Sequence, residues 1–163
     1  DLGGHTGGFL QYAALRGAGR MIGIEGQKEY FGLAQRLARL AGMNICFRQA
    51  DLTRLSQHPD PSLYEHLGFL DNWLRAYGTI DHLLLLSMEK HLGTDTVLAW
   101  IDALPARHVY VESNAVKSPE SYLSPRVAPS PLRAGIEARG GSFVGWSHDR
   151  NTRALFRLDK ETR

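Results

Sequence analysis

Apolar runs of strand length alternate with apolar residues at helical spacing along most of this chain, and few folds accommodate that alternation. Arg20 to Ile24 reads as a short buried strand ending at Glu25. It leads into a helical stretch over residues 27–41, where Leu33, Leu37 and Leu40 recur at i, i+4 and i+7 and Gly42 provides a stop. Asn44 to Arg48 reads as the next strand. Asp60-Pro61 has the form of a helix start, an N-cap followed by proline at the first helical position. From there Leu63, Leu67, Leu70, Leu74 and Tyr77 keep a helical, core-facing period up to Gly78. Ile80 to Ser87 contains the most apolar run, Leu83 to Leu86, and is expected at the centre of a sheet. A helix capped by Thr94 or Asp95 then runs through Val97, Leu98, Ile101 and Leu104 to a strand at His108–Glu112. Strand and helix in strict alternation predict an α/β domain with a mostly parallel sheet.

The last third changes character. Residues 113–131 hold four prolines and five serines, which predicts a long loop of the kind that covers a substrate, with Tyr122 and Arg126 as candidate contacts. A short helix over about 132–139 follows. Ser142–Ser147 and Arg153–Leu158 flank a polar turn and predict a terminal antiparallel hairpin. Trp73, Trp100 and Trp146 read as packing groups.

Several classes are excluded or disfavoured. No stretch approaches the roughly 20 apolar residues of a membrane-spanning helix. A single cysteine, Cys46, can form no internal disulfide, which suits a reducing, cytoplasmic setting. The seven histidines are scattered without metal-ligand spacing, so no metal site is expected. A formal net charge of +2 gives no ground to expect a nucleic-acid partner. The 163 residues suit one domain, spanning 1–163.

The opening, Asp1-Leu2-Gly3-Gly4-His5-Thr6-Gly7-Gly8, is a glycine-rich turn before a helix from Phe9 to about Arg16. Such a turn ordinarily follows a buried strand, so a first strand is expected upstream of Asp1. Glu25 stands 22 positions after Gly3, at the end of the second strand, and Asp51 stands 26 after Glu25, past the third. In an open α/β sheet these ends share the edge where ligands bind. Glycines let the backbone approach a ligand closely. A carboxylate at the end of strand two can accept hydrogen bonds from both hydroxyls of a ribose, and an acid after strand three can meet an adenine edge.

This constellation resembles the class I S-adenosylmethionine-dependent methyltransferases, over nearly the whole chain from Asp1 to about Leu158 and lacking only the family's first strand. Asp1, Gly3 and Gly7 fit the family's acid-x-G-x-x-x-G signature. Asp81 to Leu92, which ends Ser87-Met88-Glu89-Lys90-His91-Leu92, is similar to the family's fourth strand and the turn after it. The resemblance implies a Rossmann-like three-layer αβα sandwich with an antiparallel C-terminal hairpin, and S-adenosyl-L-methionine as cofactor. It implies that Gly3, Gly4 and His5 line the methionine part, that Gly7 starts the helix and that Asp1, the acid of the signature, belongs to the cofactor site. Glu25 is implied for the ribose, Asp51 for the adenine amino group with Leu52 packing nearby, and Ser87 for the cofactor from the turn.

The implied activity is methyl transfer to an O or N nucleophile of a small molecule. Displacement at a sulfonium needs alignment first, and a base only where the nucleophile must lose a proton. Glu89 and His91 are the candidates for that base. The turn after strand four lacks the N/D-P-P-Y pattern of amino-methylating members that act on bases or glutamine, and Cys46 has no Pro-Cys context for cytosine C5 methylation. Two alternatives stay open: a catalytically inactive methyltransferase-like interaction module of a larger protein, and an aminopropyltransferase-type enzyme, which would want more acids after strand four than Glu89. A nicotinamide dehydrogenase is disfavoured, because no G-x-G-x-x-G stands at the first turn. The sequence carries no code for the methyl acceptor or the oligomeric state.

Overall fold

A computed structural model describes residues 1–53, 68–116, 130–146 and 153–160. Its contacts divide the chain into two units, Asp1–His58 and Pro59–Arg163. Each is described by itself.

The first unit is built on a parallel pair. Helix α1 (Gly8–Leu15) leads to β1 (Met21–Glu25), α2 (Lys28–Leu40) and β2 (Ile45–Gln49). β1 and β2 run in register from Met21 opposite Ile45 to Glu25 opposite Gln49. Asp1 and Leu2 lie along the side of β1 away from β2: Leu2 forms a parallel bridge with Ile24, the Asp1 backbone nitrogen donates to the Ile22 carbonyl, and Ile24 N–H donates to the Asp1 carbonyl. Leu10, Ala34, Ala38 and Phe47 form the core, with Phe31 and Met21 packed against them.

The leucine period of α2 marks a helix but not its buried face. Ala34 and Ala38 are buried, whereas Leu40 is 84% exposed and Leu33 and Leu37 are more than one-third exposed. Phe47 fills the space beneath the helix, so only alanine fits between helix and strand.

The second unit contains α3 (Gly68–Tyr77), β3 (Ile80–Leu85), α4 (Glu89–Leu92), α5 (Thr94–Ala103), β4 (Ala106–Val116), α6 (Pro131–Glu137), β5 (Ser142–Trp146) and β6 (Arg153–Asp159). Its sheet has the order β3-β4-β6-β5. β3 and β4 are parallel, and β6 is antiparallel to both β4 and β5. The expected C-terminal hairpin is therefore present, with β6 inserted between β4 and β5. One sheet face carries Leu83, Leu85, Val109, Val111, Phe156 and Leu158, all buried, and the unit's core adds Val97, Trp100, Ile101, Leu132 and Ile136.

Three expectations are corrected here. β4 continues through residues 113–116, which composition assigned to the loop; pairing of Val116 with Arg153 extends the strand past a register shift. Among the described residues β3 pairs on one side alone, with β4, although its apolar run suggested a central strand. Helix α5 is capped by Gly93 rather than by Thr94 or Asp95; the Thr94 hydroxyl is drawn away, donating to Glu89 Oε1 at 2.9 Å. Tyr122, Arg126 and the helix start at Asp60-Pro61 lie outside the described residues.

The C-terminal end of α5 is closed from a distance. Lys160 Nζ donates to the carbonyls of Ile101 at 2.6 Å and Leu104 at 2.8 Å, and burial holds its pKa below the ordinary lysine value. A lysine here satisfies the carbonyls that a helix end leaves unpaired. Lys160→Met is expected to lower unfolding stability by about 1–3 kcal/mol, read as a lower urea midpoint at unchanged slope.

Candidate functional site

The glycine turn is tied to β1 by its backbone. Gly3 and Gly4 N–H both donate to the Ile24 carbonyl, at 2.8 and 3.1 Å, and Gly7 N–H closes onto the Gly4 carbonyl at 2.7 Å. Gly3 and Gly7 have φ of 75° and 76°, where a side chain is strained. His5 adopts φ 51° without being glycine; its ring is exposed and packs on Tyr30, with centroids 3.7 Å apart.

Two buried carboxylates face this backbone. Glu25, 8% exposed, is the last residue of β1. Its Oε2 accepts from His5 N–H at 2.8 Å and its Oε1 from Gln27 N–H at 2.7 Å. One side chain thus holds the glycine turn with one oxygen and the start of α2 with the other. A carboxylate offers about four acceptor positions, so about two are left for a ligand. Asp1 is equally buried, and its Oδ2 has no hydrogen-bond partner among the described residues. A Cβ added at Gly4 would stand 3.0 Å from that oxygen, so glycine keeps the approach to it open. Buried polar atoms without protein partners are rare, and water, an ion or a ligand ordinarily completes their bonding.

Asp51 follows β2. A Cβ at Gly26 would lie 3.3 Å from the Ala50 carbonyl and 3.4 Å from Asp51 Cα, so the turns after β1 and β2 run side by side. Asp51 is exposed, and its Oδ1 accepts from both the N–H and the hydroxyl of Thr53. Leu52 is buried at 4% exposure. Of the sequence-predicted residues, the structure brings Asp1, Gly3, Gly4, His5 and Gly7 onto one turn, sets Glu25 against it from the end of β1, and sets Asp51 and Leu52 on the adjoining turn.

In the second unit, Ser87 stands two residues past β3 with φ 57°. Its hydroxyl donates to Glu112 Oε2 at 2.5 Å and accepts from the Arg153 guanidinium. Arg153 also donates to Glu112 Oε2 at 3.2 Å. Glu89 opens α4 and is half-buried, and His91, on the same turn of helix, is exposed. Sequence reasoning missed Glu112 and Arg153. The rule that selected Glu25, an acid where a parallel strand ends, would have found Glu112; no local signal marks Arg153. Among the described residues, no group of three or more His, Cys, Asp or Glu is placed to hold a metal ion, and no helix is long and apolar enough to cross a membrane.

No protein-family model matches the chain, and no curated protein matches it. Solved structures do. The bifunctional kinase-methyltransferase WbdD matches with a TM-score of 0.65 at 21% identity, over 98% of this chain and 34% of that one. The N-terminal domain of EvdMO1, solved with SAH bound, matches with a TM-score of 0.64 at 13% identity, over 98% of this chain and 73% of that one. A structure solved for the conversion of a disulfide bond into a thioacetal group during echinomycin biosynthesis matches with a TM-score of 0.56 at 16% identity, over 98% and 74%. The chain has a methyltransferase fold. It spans about one-third of the length of WbdD.

Proposed function

We propose that the chain is a single methyltransferase-like domain of the class I, Rossmann-like kind, that it binds S-adenosyl-L-methionine, and that it transfers the methyl group to an oxygen or nitrogen of a small-molecule acceptor. The observation that carries this reading is the pair of buried carboxylates on one glycine turn, with Asp1 Oδ2 lacking a partner and Glu25 keeping acceptor capacity to spare. The solved neighbour with SAH bound supports the same ligand class.

The residues present fit the cofactor. Asp1 Oδ2 suits the α-ammonium of the methionine part, because a buried anionic oxygen is best completed by a charged donor. Gly3 and Gly4 present backbone without side chains there, His5 lines the turn, and Gly7 lets α1 begin. Glu25, already oriented by two backbone N–H groups, accepts the ribose hydroxyls. Asp51 takes the adenine amino group, and Leu52 packs beside it. In the second unit, Ser87 is assigned to the cofactor and Glu89 and His91 to the acceptor's proton. When bound, the cofactor supplies a methyl group activated on a sulfonium. The chain's own task is then alignment of the nucleophile, and proton removal for a hydroxyl or ammonium acceptor.

The test compares two ligands. S-adenosylhomocysteine carries the α-ammonium, and 5′-methylthioadenosine lacks it. The parent protein is expected to prefer the first by about tenfold or more, equivalent to about 1.4 kcal/mol. Asp1→Asn should collapse that preference while leaving 5′-methylthioadenosine affinity within about threefold. An unchanged preference in Asp1→Asn would remove Asp1 from the site.

A further inference from the structure

Gly3, His5 and Gly7 all hold left-handed backbone, at φ 75°, 51° and 76°. Glycine adopts that conformation without strain, and it fills two of these three positions. A residue with a side chain persists there only where its surroundings hold it, and such residues cluster at functional sites. The His5 ring is exposed, yet it packs on the half-buried Tyr30, with centroids 3.7 Å apart and ring planes inclined at 39°. Tyr30 stands in the first turn of α2. Through its backbone His5 reaches β1 as well: its N–H donates to Glu25 Oε2 at 2.8 Å, while Gln27 N–H, just before α2, donates to Oε1 at 2.7 Å. His5, Glu25, Gln27 and Tyr30 therefore close a ring of contacts, from turn to strand end, from strand end to helix start, and from helix back to turn.

We propose that Tyr30 is a positioning residue for the ribose contact: its ring holds His5 in the left-handed conformation, which keeps the His5 N–H on Glu25 Oε2 and fixes the carboxylate that receives the ribose hydroxyls. This rests on the cofactor assignment above. Glu25 is buried and each of its oxygens takes one backbone N–H, so the acceptor positions left to a ligand lie where those two bonds set them. Loss of the His5 bond frees the carboxylate to turn, and a pair of hydroxyls needs its acceptors at fixed places. Glycine at position 5 would relax the turn but remove the ring that ties it to α2.

The test measures two ligands by calorimetry, with folding followed by thermal melts: S-adenosylhomocysteine, and its 2′,3′-dideoxy analogue, which lacks the ribose hydroxyls. The parent is expected to prefer the first by about tenfold or more, because hydrogen bonds to a charged group are the strong ones. Tyr30→Ala should cut that preference to about threefold or less while leaving affinity for the analogue within about twofold of the parent. A residue acting on stability alone would weaken both ligands alike. Tyr30→Phe keeps the ring and should keep the preference. His5→Asn makes the same test at an exposed position: asparagine tolerates left-handed backbone and retains the N–H, but brings no ring to Tyr30. It should lose the preference as Tyr30→Ala does, and the double variant should lose no more than either alone. Parent-like preference in folded Tyr30→Ala or His5→Asn would overturn the positioning role while the cofactor assignment stands, as would an equal loss in Tyr30→Phe. Binding of both ligands without preference by the parent would overturn the ribose assignment of Glu25 and the positioning role with it. Absence of binding by the folded parent would overturn the cofactor assignment itself.

Discussion

Gly7→Ala is expected to destabilise the protein by about 2–5 kcal/mol, with Gly8→Ala beside it neutral or stabilising. At Gly7 φ is +76°, and an added Cβ would stand 2.5 Å from Phe47 Cζ and 2.8 Å from Cε1. Left-handed backbone costs a side chain roughly 1–2 kcal/mol. Overpacking adds about 1–3 kcal/mol, because Phe47 is 5% exposed within the cluster of Leu10, Ala34 and Ala38 and has nowhere to retreat. At Gly8, the first residue of α1, nothing lies within 4 Å of an added Cβ, and alanine gains up to about 1 kcal/mol of helix propensity. Urea unfolding of the two variants separates these outcomes. A loss below about 1 kcal/mol for Gly7→Ala would show that the turn and Phe47 tolerate a shift the packing argues against.

Glu25→Ala carries the second large effect, on binding. The side chain does two things at once: it holds the His5 and Gln27 N–H groups, and it is assigned to the ribose. Hydrogen bonds to a charged group contribute about 1.5–3 kcal/mol each, so removal is expected to cost stability and to loosen the turn that Asp1 and Gly4 share. S-adenosylhomocysteine affinity should fall by about 100-fold or more, about 2.7 kcal/mol. Glu25→Gln separates the two duties in part. Its single carbonyl oxygen can serve one backbone N–H but not both, so an intermediate loss is expected. Asp51→Ala should cost less than Glu25→Ala, because Asp51 is exposed whereas Glu25 is buried. Binding by Glu25→Ala within threefold of the parent would detach Glu25 from the ligand.

Much of the architecture was legible because period and punctuation agree. The strands at 21–25, 45–49 and 80–85 and the helix over 28–40 fall within a residue or two of where apolar spacing and glycine stops place them. The hairpin was legible from its polar turn, but its strand order was not: insertion of β6 between β4 and β5 is a matter of pairing, which no local pattern encodes. The exposed leucines of α2 show the same limit. Spacing establishes that Leu33, Leu37 and Leu40 share a face, yet the size of Phe47 across the interface decides that Ala34 and Ala38 face inward. At the candidate site, the acids at strand ends and the glycine turn were readable because backbone conformation and ligand approach both demand those residue types. The missing partner of Asp1 Oδ2, the double duty of Glu25 and the convergence of Glu112 and Arg153 on Ser87 depend on side-chain orientation in three dimensions.

The central claim is that the glycine turn with its two buried carboxylates takes an S-adenosyl ligand. Calorimetric titration of S-adenosylhomocysteine into the folded protein tests it most directly. The account predicts one site with a dissociation constant in the micromolar range, about −8 kcal/mol. No detectable binding by protein that melts cooperatively would contradict it.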